Sequence, residues 1–564
     1  MATTTTHSQY IDHQTEDSFG EFSHVTLRWL GSLKLTVTLF ALSLIIVLVG
    51  TLAQDEMNML EVKQRYFLSW VAMLHFDDFV PQAFYRHSEP LPGKIPFPGG
   101  ALIGFMLMVN LVAAKITRFK INASGSKLML GIGFLIAGFI ATGFVVLAGH
   151  NDDGLQGTPP ISYDALWVCV LVGLGLLAAG AVAWGTQVRN AKIAMLLYQL
   201  GGLLTLVLLA ALFYDFRIGD PGLRIVWQLT KGLGVGGLLL AGCLLVFNKQ
   251  GGNVLLHLGV GLLMVGQFAF GDRQLEQRLS LVEGESTNTL INLDAAELTF
   301  IERLDDIDNI IAIPASRLQQ AAASGSLIED ETLPVNVKVI QYFPNSTLKQ
   351  ADEKDNIATA GIGLEVKAIP VTKAGGTDGA INVPSAYVEL IDKASGESIA
   401  THLVSQVISD REMLIPGEPV KDDFDSFTVN EKSYDIGLRF HREVKPYWVQ
   451  LEDVRRVNWS GSDTPRDYSS FIRIIDTETG EDRKDRVWMN NPLRYRGETF
   501  YQSNYTPLPG GKEMTGIQVV RNSGWLIPYV ACSITALGML VHFLGTLTRF
   551  LDRRERENRK ELAA

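Results

Sequence analysis

The chain is 564 residues long, 47% hydrophobic and 19% charged, with a formal net charge of −11. Its three cysteines, Cys169, Cys243 and Cys532, form neither CxxC nor CxxCH and all sit in apolar runs, which excludes thiol–disulfide exchange and covalent carriage of haem on this chain. No nucleic acid partner is expected from so acidic a composition.

Residues 1–25, rich in Thr, His, Gln and acidic side chains, are expected to be disordered. Eight apolar blocks follow at 33–52, 98–116, 128–148, 163–184, 193–213, 225–247, 253–270 and 525–547. Each is near the roughly 20 residues that cross a bilayer as a helix. The first block starts too far from the N-terminus, and lacks the small-residue cleavage site, to be a signal peptide.

Helices 1 and 2 (26–121) enclose a loop at 54–97 whose segment Tyr66-Phe-Leu-Ser-Trp-Val-Ala-Met-Leu-His-Phe76 is aromatic and amphipathic, so an interfacial helix carrying His75 is expected there. Residues 122–250 hold four Gly-, Leu- and Ala-rich helices with no buried charged motif, which predicts a packing or lipid-facing bundle.

Basic residues orient the spans. Lys115, Arg118, Lys120 and Lys127 flank the second connection; Arg189, Lys192 and Lys249 mark later ones; Arg549, Arg553, Arg554, Arg556 and Arg559 crowd the tail at 549–564. The positive-inside rule then places both termini in the cytoplasm and residues 54–97 and 271–524 outside.

The 251–270 span carries His257 with no acidic residue beside it. An imidazole in hydrocarbon needs a partner or a metal, and neutral imidazole is a strong ligand for haem iron. With that helix running outward from about residue 253, His257 lies about 6 Å inside the inner edge at 1.5 Å per residue. With the last span (525–548) running inward, His542 lies about 7–8 Å from the same edge by the same rise. His542 is therefore a second, weaker candidate ligand and His75 a third; a boundary histidine beside Arg549 is the simpler account of His542.

Between 271 and 524 the pattern changes to period-two alternation, as in Val335–Phe343, Gly363–Ile369, Ala386–Ile391, Tyr434–Phe440 and Phe471–Ile475, punctuated by Gly, Asn, Asp and Pro. This predicts an antiparallel β-sandwich or barrel-like domain. Acidic runs Glu329–Glu331 and Asp422–Asp425 are expected as solvated loops, His402 and His441 as surface or sheet residues, and Trp488, Tyr495, Phe500, Tyr501 and Tyr505 as either a docking face or the core of the last strands. No metal spacing, nucleophile elbow or phosphate loop occurs there. The fold expected is thus an α-helical polytopic membrane bundle of about eight spans with a large extracytoplasmic all-β, sandwich-like domain.

Three stretches together resemble the ResB/CcsB family of System II cytochrome c maturation: Leu30-Gly-Ser-Leu-Lys-Leu-Thr-Val-Thr-Leu with Gly50-Thr-Leu-Ala-Gln54; the His257-Leu-Gly helix leading to Glu283-Gly-Glu285; and Met489-Asn-Asn-Pro-Leu-Arg-Tyr-Arg-Gly-Glu-Thr-Phe-Tyr-Gln-Ser-Asn-Tyr505 with Arg521-Asn-Ser-Gly-Trp-Leu-Ile-Pro-Tyr529. The resemblance implies a bacterial inner-membrane protein that binds haem b non-covalently and passes it outward for attachment to the CxxCH of apocytochrome c. It implies a CcsA-type, tryptophan-rich membrane partner, which this chain does not contain, and contact with membrane lipid. On the matching motif His257 would be the axial ligand, with the second ligand from the partner. The chain would then be a subunit of a haem lyase complex, non-catalytic alone. Helices 3–6 depart from the family's usual plan as an apparent insertion. Two other classes stay open: a transporter or channel with an external sensing domain, and a non-haem scaffold of a respiratory complex.

Overall fold

The structure is a computed structural model that describes residues 25–55, 57, 59–79, 91–150, 156–188, 190–271, 274–305, 307–351, 356–371, 381–414 and 422–563. Nearly all of the stretch expected to be disordered, 1–25, lies outside these residues. Every apolar block forms a helix: α1 Leu33–Leu52, α2 Gly100–Arg118, α3 Gly125–Leu147, α4 Tyr163–Gln187, α5 Ala191–Phe213, α6 Asp220–Phe247, α7 Gly251–Phe270 and, after the β domain, α9 Ile527–Ala563. Side chains start three of them, with Ser32, Ser162 and Asn190 accepting first-turn amide hydrogens of α1, α4 and α5.

Seven continuous stretches are long and apolar enough to cross a membrane, but the 51 residues from Asp220 to Phe270 make two crossings. Asn248 takes a positive φ of 51° at the end of α6, and α7 folds back. A Cβ on Gly251 would stand 2.8 Å from the Cys243 backbone. The protein therefore carries eight candidate spans among the described residues.

Helices in lipid gain little from hiding apolar surface and associate through close backbone approach at small residues. That is the pattern here. Gly252, Gly259 and Gly266, one face of α7 at seven-residue spacing, abut His542, Thr535 and Ile527 of α9. Gly232 and Gly236 of α6 abut Ser533 and Ile534 of α9, while Gly131 and Gly138 of α3 abut Val246 and Leu239 of α6. The shared core is Val235, Leu239, Cys243, Val254, Leu255, Val530 and Ile534.

α1 and α2 form a second pair, joined by the buried Asn110, whose amide donates to the Leu30 carbonyl (2.5 Å) and whose Oδ1 accepts from Thr36 Oγ1 (2.7 Å). The four helices expected as one insertion divide in two. α3 and α6 belong to the central packing, whereas α4 and α5 pack chiefly on each other, and in α5 Gly201 alone is buried.

The 66–76 stretch differs from the expected interfacial helix. Helical turns end at Phe67, and Val71–His75 is a strand, β1, paired antiparallel with β2, Lys94–Pro98. Period-two burial explains it, because Ala72 and Leu74 turn into the core between α1 and α2 while their neighbours face away.

The β domain opens directly from α7. Its main sheet has ten strands: β3 Leu275–Val282, β4 Ser286–Arg303, β5 Asp308–Pro314, β12 Asp425–Val429, β13 Lys432–Asn458, β14 Pro465–Asp476, β15 Glu481–Trp488, β16 Leu493–Tyr495, β17 Glu498–Pro507 and β18 Glu513–Arg521. The order is β15-β14-β13-β4-β3-β18-β17-β16, with β5 on β4 and β12 on β13. A four-stranded sheet, β11 (Ser398–Ser405), β10 (Ser385–Ile391), β7 (Asn336–Phe343) and β6 (Leu327–Ile328), covers one end with the helix α8, Ala315–Ser324. Two strands, β8 Ser346–Gln350 and β9 Val366–Pro370, pair alone.

Two cores result. One is a sandwich between the sheets, built on Phe300, Leu438, Val388 and Val337. The other lies where the main sheet curls, so that Ser470 of β14 reaches Gln502 of β17, around Tyr447, Ile474, Tyr495 and Phe500. Sandwich and barrel-like halves share the 27-residue strand β13. All five alternating segments noted in the sequence fall on strands, the second after a 3₁₀ turn at Gly361–Leu364.

Candidate functional site

His257 lies on α7, half-buried, on a different face from the glycines that meet α9. Its Nδ1 is 2.7 Å from the Asn253 carbonyl oxygen one turn back. A carbonyl only accepts, so Nδ1 carries the hydrogen and Nε2 keeps a bare lone pair. Nε2 has no hydrogen-bond partner among the described residues. Metal-bound histidines have this arrangement, in which the second ring nitrogen donates to a carbonyl that fixes the ring and enriches the ligating atom.

His542 stands beside Gly252, while Thr535 stands beside Gly259. The two imidazoles are therefore offset along the helix pair by about a turn and a half, roughly 7 Å at 1.5 Å per residue, rather than level. His542 Nδ1 is buried without a hydrogen-bond partner. With Asn122, Phe247, Lys249, Asn253 and Arg549 it lines a cavity of about 600 Å³ at the end of the bundle away from the β domain. His257 does not line this cavity, although Asn253, which holds its ring, does. Lys115 and His542 both lie within electrostatic reach of His257. One bare imidazole nitrogen, a second imidazole and the cations Lys115, Lys249 and Arg549 are a donor set suited to haem. No group of three or more His, Cys, Asp and Glu able to hold a bare metal ion occurs among the described residues.

His75 belongs elsewhere. Trp70, just before β1, packs on Phe268 (6.4 Å between rings), and Phe268 is about 16 Å along α7 from His257 at the helical rise. The His75 backbone amide donates to Asp78 Oδ2 (2.8 Å), and Nε2 lies 3.4 Å from Arg65 Nη2. Tyr66 also donates to Asp78 Oδ2 (2.5 Å). Burial pushes the Asp78 carboxyl above its usual range and, with that carboxylate beside it, pushes the Tyr66 phenol well up. This knot ties β1 to the bundle.

In the β domain the sequence reading missed a set of buried ion pairs. His402, in β11, is 1% exposed and its Nδ1 meets Asp425 Oδ2 at 2.9 Å, so the Asp422–Asp425 run is partly buried rather than a purely solvated loop. Glu297 holds both Arg439 (3.1 Å) and His441 (2.7 Å). Asp410 holds Arg442 (2.8 Å), and burial still leaves its carboxyl above the usual range. Asp476 accepts from Tyr495 (2.7 Å) and Arg496 (2.7 Å). Pairing across strands has no local signature, which is why period-two reading found the strands but not the pairs. Of the Trp488–Tyr505 aromatics, Tyr495 and Phe500 are fully buried in the core of the last strands, while Trp488 and Tyr501 line a second cavity of about 310 Å³ between the β domain and α6 and α9.

One comparison with known proteins falls on this domain. A family model described as the ResB-like family matches residues 411–523. Protein NrfI of Wolinella succinogenes is 26% identical over 105 residues, which are 19% of this chain and 11% of that protein. The match thus spans a small part of either sequence, and within the β domain the matched family segment begins before β12 and ends after β18. By these strands and the residues they carry, residues 411–523 are similar to the ResB-like family.

Proposed function

We infer that this chain is a haem-handling membrane subunit with a role in cytochrome c biogenesis, and that His257 Nε2 is an axial haem ligand. The ResB-like segment and the likeness to Protein NrfI support the biogenesis role. The observation that carries the ligand assignment is the hydrogen bond from His257 Nδ1 to the Asn253 carbonyl, which leaves Nε2 bare in an apolar helix.

Haem b, when bound, would supply an iron centre that the His257 imidazole could hold. The chain's own residues do the rest. Asn253 orients the ring, and Lys115, Lys249 and Arg549 offer positive charge to carboxylates. These basic residues gather at the end opposite the β domain, which supports a cytoplasmic position for that end and an extracytoplasmic one for the domain, in a bacterial inner membrane. A CcsA-type partner supplies the second ligand, His542 being the alternative within this chain, and apocytochrome c is the acceptor.

The test is optical. Full-length protein purified with its partner should show a Soret band that His257→Ala abolishes and added imidazole restores. An unchanged band in the variant overturns the assignment.

A further inference from the structure

The second cavity, about 310 Å³, lies between the first turns of α6 and α9 and the β domain, and Arg224, Arg494, Trp488, Tyr501 and Tyr529 line it. Arg494 is 9% exposed, its guanidinium carbon lies 4.3 Å from the Trp525 ring centre, and its Nε has no hydrogen-bond partner. Among the described residues neither Arg494 nor Arg224 has a carboxylate within ion-pair distance, and the two are within electrostatic reach of each other. Asp485, also within reach of Arg224, is held by Arg483 at 3.2 Å.

This sets the pair apart. The other buried cations of the domain, Arg439 and Lys445, meet Glu297 (3.1 Å) and Glu498 (2.6 Å). Burying a cation without a counter-charge is strongly unfavourable, and a second cation, the half-buried Arg224 lining the same cavity, compounds the cost. A deeply buried amide adds an unmet donor: Gln156 (6% exposed), whose backbone amide donates to the Arg494 carbonyl, has no partner for Nε2.

Guanidinium groups match phosphate and carboxylate oxygens with paired hydrogen bonds. The cavity sits at the lower end of the range for ligand pockets, about 300 Å³, enough for a headgroup. Arg224 is in the first turns of α6 and Tyr529 in the first turn of α9, so the opening lies at the rim of the apolar spans, where lipid headgroups reside.

We propose that Arg224 and Arg494 form a site for an oxyanion at the β-domain rim of the bundle, with the phosphate of an anionic phospholipid as its occupant and a soluble phosphate or carboxylate as the other source of the same chemistry. The site stands apart from the His257 reading and does not depend on it.

Full-length protein is placed in nanodiscs of equimolar phosphatidylethanolamine and phosphatidylglycerol, extracted, and its retained phosphatidylglycerol measured by native mass spectrometry. Delipidated protein is titrated with inorganic phosphate while the thermal midpoint is followed. The wild type should retain phosphatidylglycerol; Arg224→Gln and Arg494→Gln should each lower retention about tenfold or more, the worth of one charged hydrogen-bonded contact. Arg494→Lys, which keeps the charge and guards against misfolding as the cause, should lie between, and Arg473→Gln, at an exposed pair with Asp482, should match the wild type. A phosphate-dependent rise in midpoint, lost in the glutamine variants, without lipid retention assigns the soluble source. Glutamine variants that match the wild type in both measurements, or a wild type that responds in neither, overturn the proposal.

Discussion

Single side chains in this protein are settled by what neutralises them. Asp476 is the clearest case outside the spans. Its side chain is fully buried, and burial alone would raise its pKa, but the Tyr495 hydroxyl, the Thr479 amide and the Arg496 guanidinium together hold the carboxyl below the usual aspartate range. A carboxylate depressed in the folded state contributes stability above its unfolded pKa and loses it as pH falls through the folded value. The thermal midpoint of the full chain should therefore drop as the medium is acidified below about pH 4. Asp476→Asn, which leaves Arg496 without its buried partner, should cost about 3 kcal/mol at neutral pH and flatten that acid limb; equal acid sensitivity in variant and wild type would refute the assignment. His257 was legible in the sequence because an imidazole in an apolar run is conspicuous. Arg494 was not, because its significance lies in a missing counter-charge, and that is visible only when distant segments are assembled.

Helices and strands were read more completely than their contacts. The spans are fixed by apolar length, and the strands by period-two alternation in Val335–Phe343 and Ala386–Ile391, which became β7 and β10. The 66–76 stretch failed that reading because aromatic content was given more weight than the alternation of Ala72 and Leu74. Which helices touch was hidden as well, since it turns on individual glycines. Gly259 packs against the α9 backbone at Ala531 and Thr535, whereas Gly261, half a turn away, has nothing within 4 Å of an added Cβ. Gly259→Ala should therefore destabilise the bundle by about 1–3 kcal/mol through overpacking, and Gly261→Ala should leave thermal unfolding in detergent unchanged. Identical midpoints for the two variants would remove the glycine face as the basis of α7–α9 packing. The same face aligns His542 with Gly252 and so sets the offset between the two imidazoles.

Across the whole molecule, bundle and β domain are joined by a pair of connections that run side by side. β3 follows α7 and β18 precedes α9, and the strands are neighbours, with Leu275 opposite Arg521. The paired strands thus stand at the β-domain ends of the paired helices α7 and α9. The main sheet has a comparable arrangement at its centre. β4 and β3 stand between β13 and β18, yet both come from residues 275–303, well before the segment 411–523 that the family model recognises. Those two strands act as a keystone. Expressed by itself, the recognised segment would fall into two fragments, β12–β15 and β16–β18, each with a raw edge where β4 or β3 belongs, and such edges invite self-pairing. Light scattering should find that polypeptide aggregated, and addition of a separate 274–305 hairpin should return it to solution; a soluble, monomeric 411–523 would mean that the arch stands without its central stones.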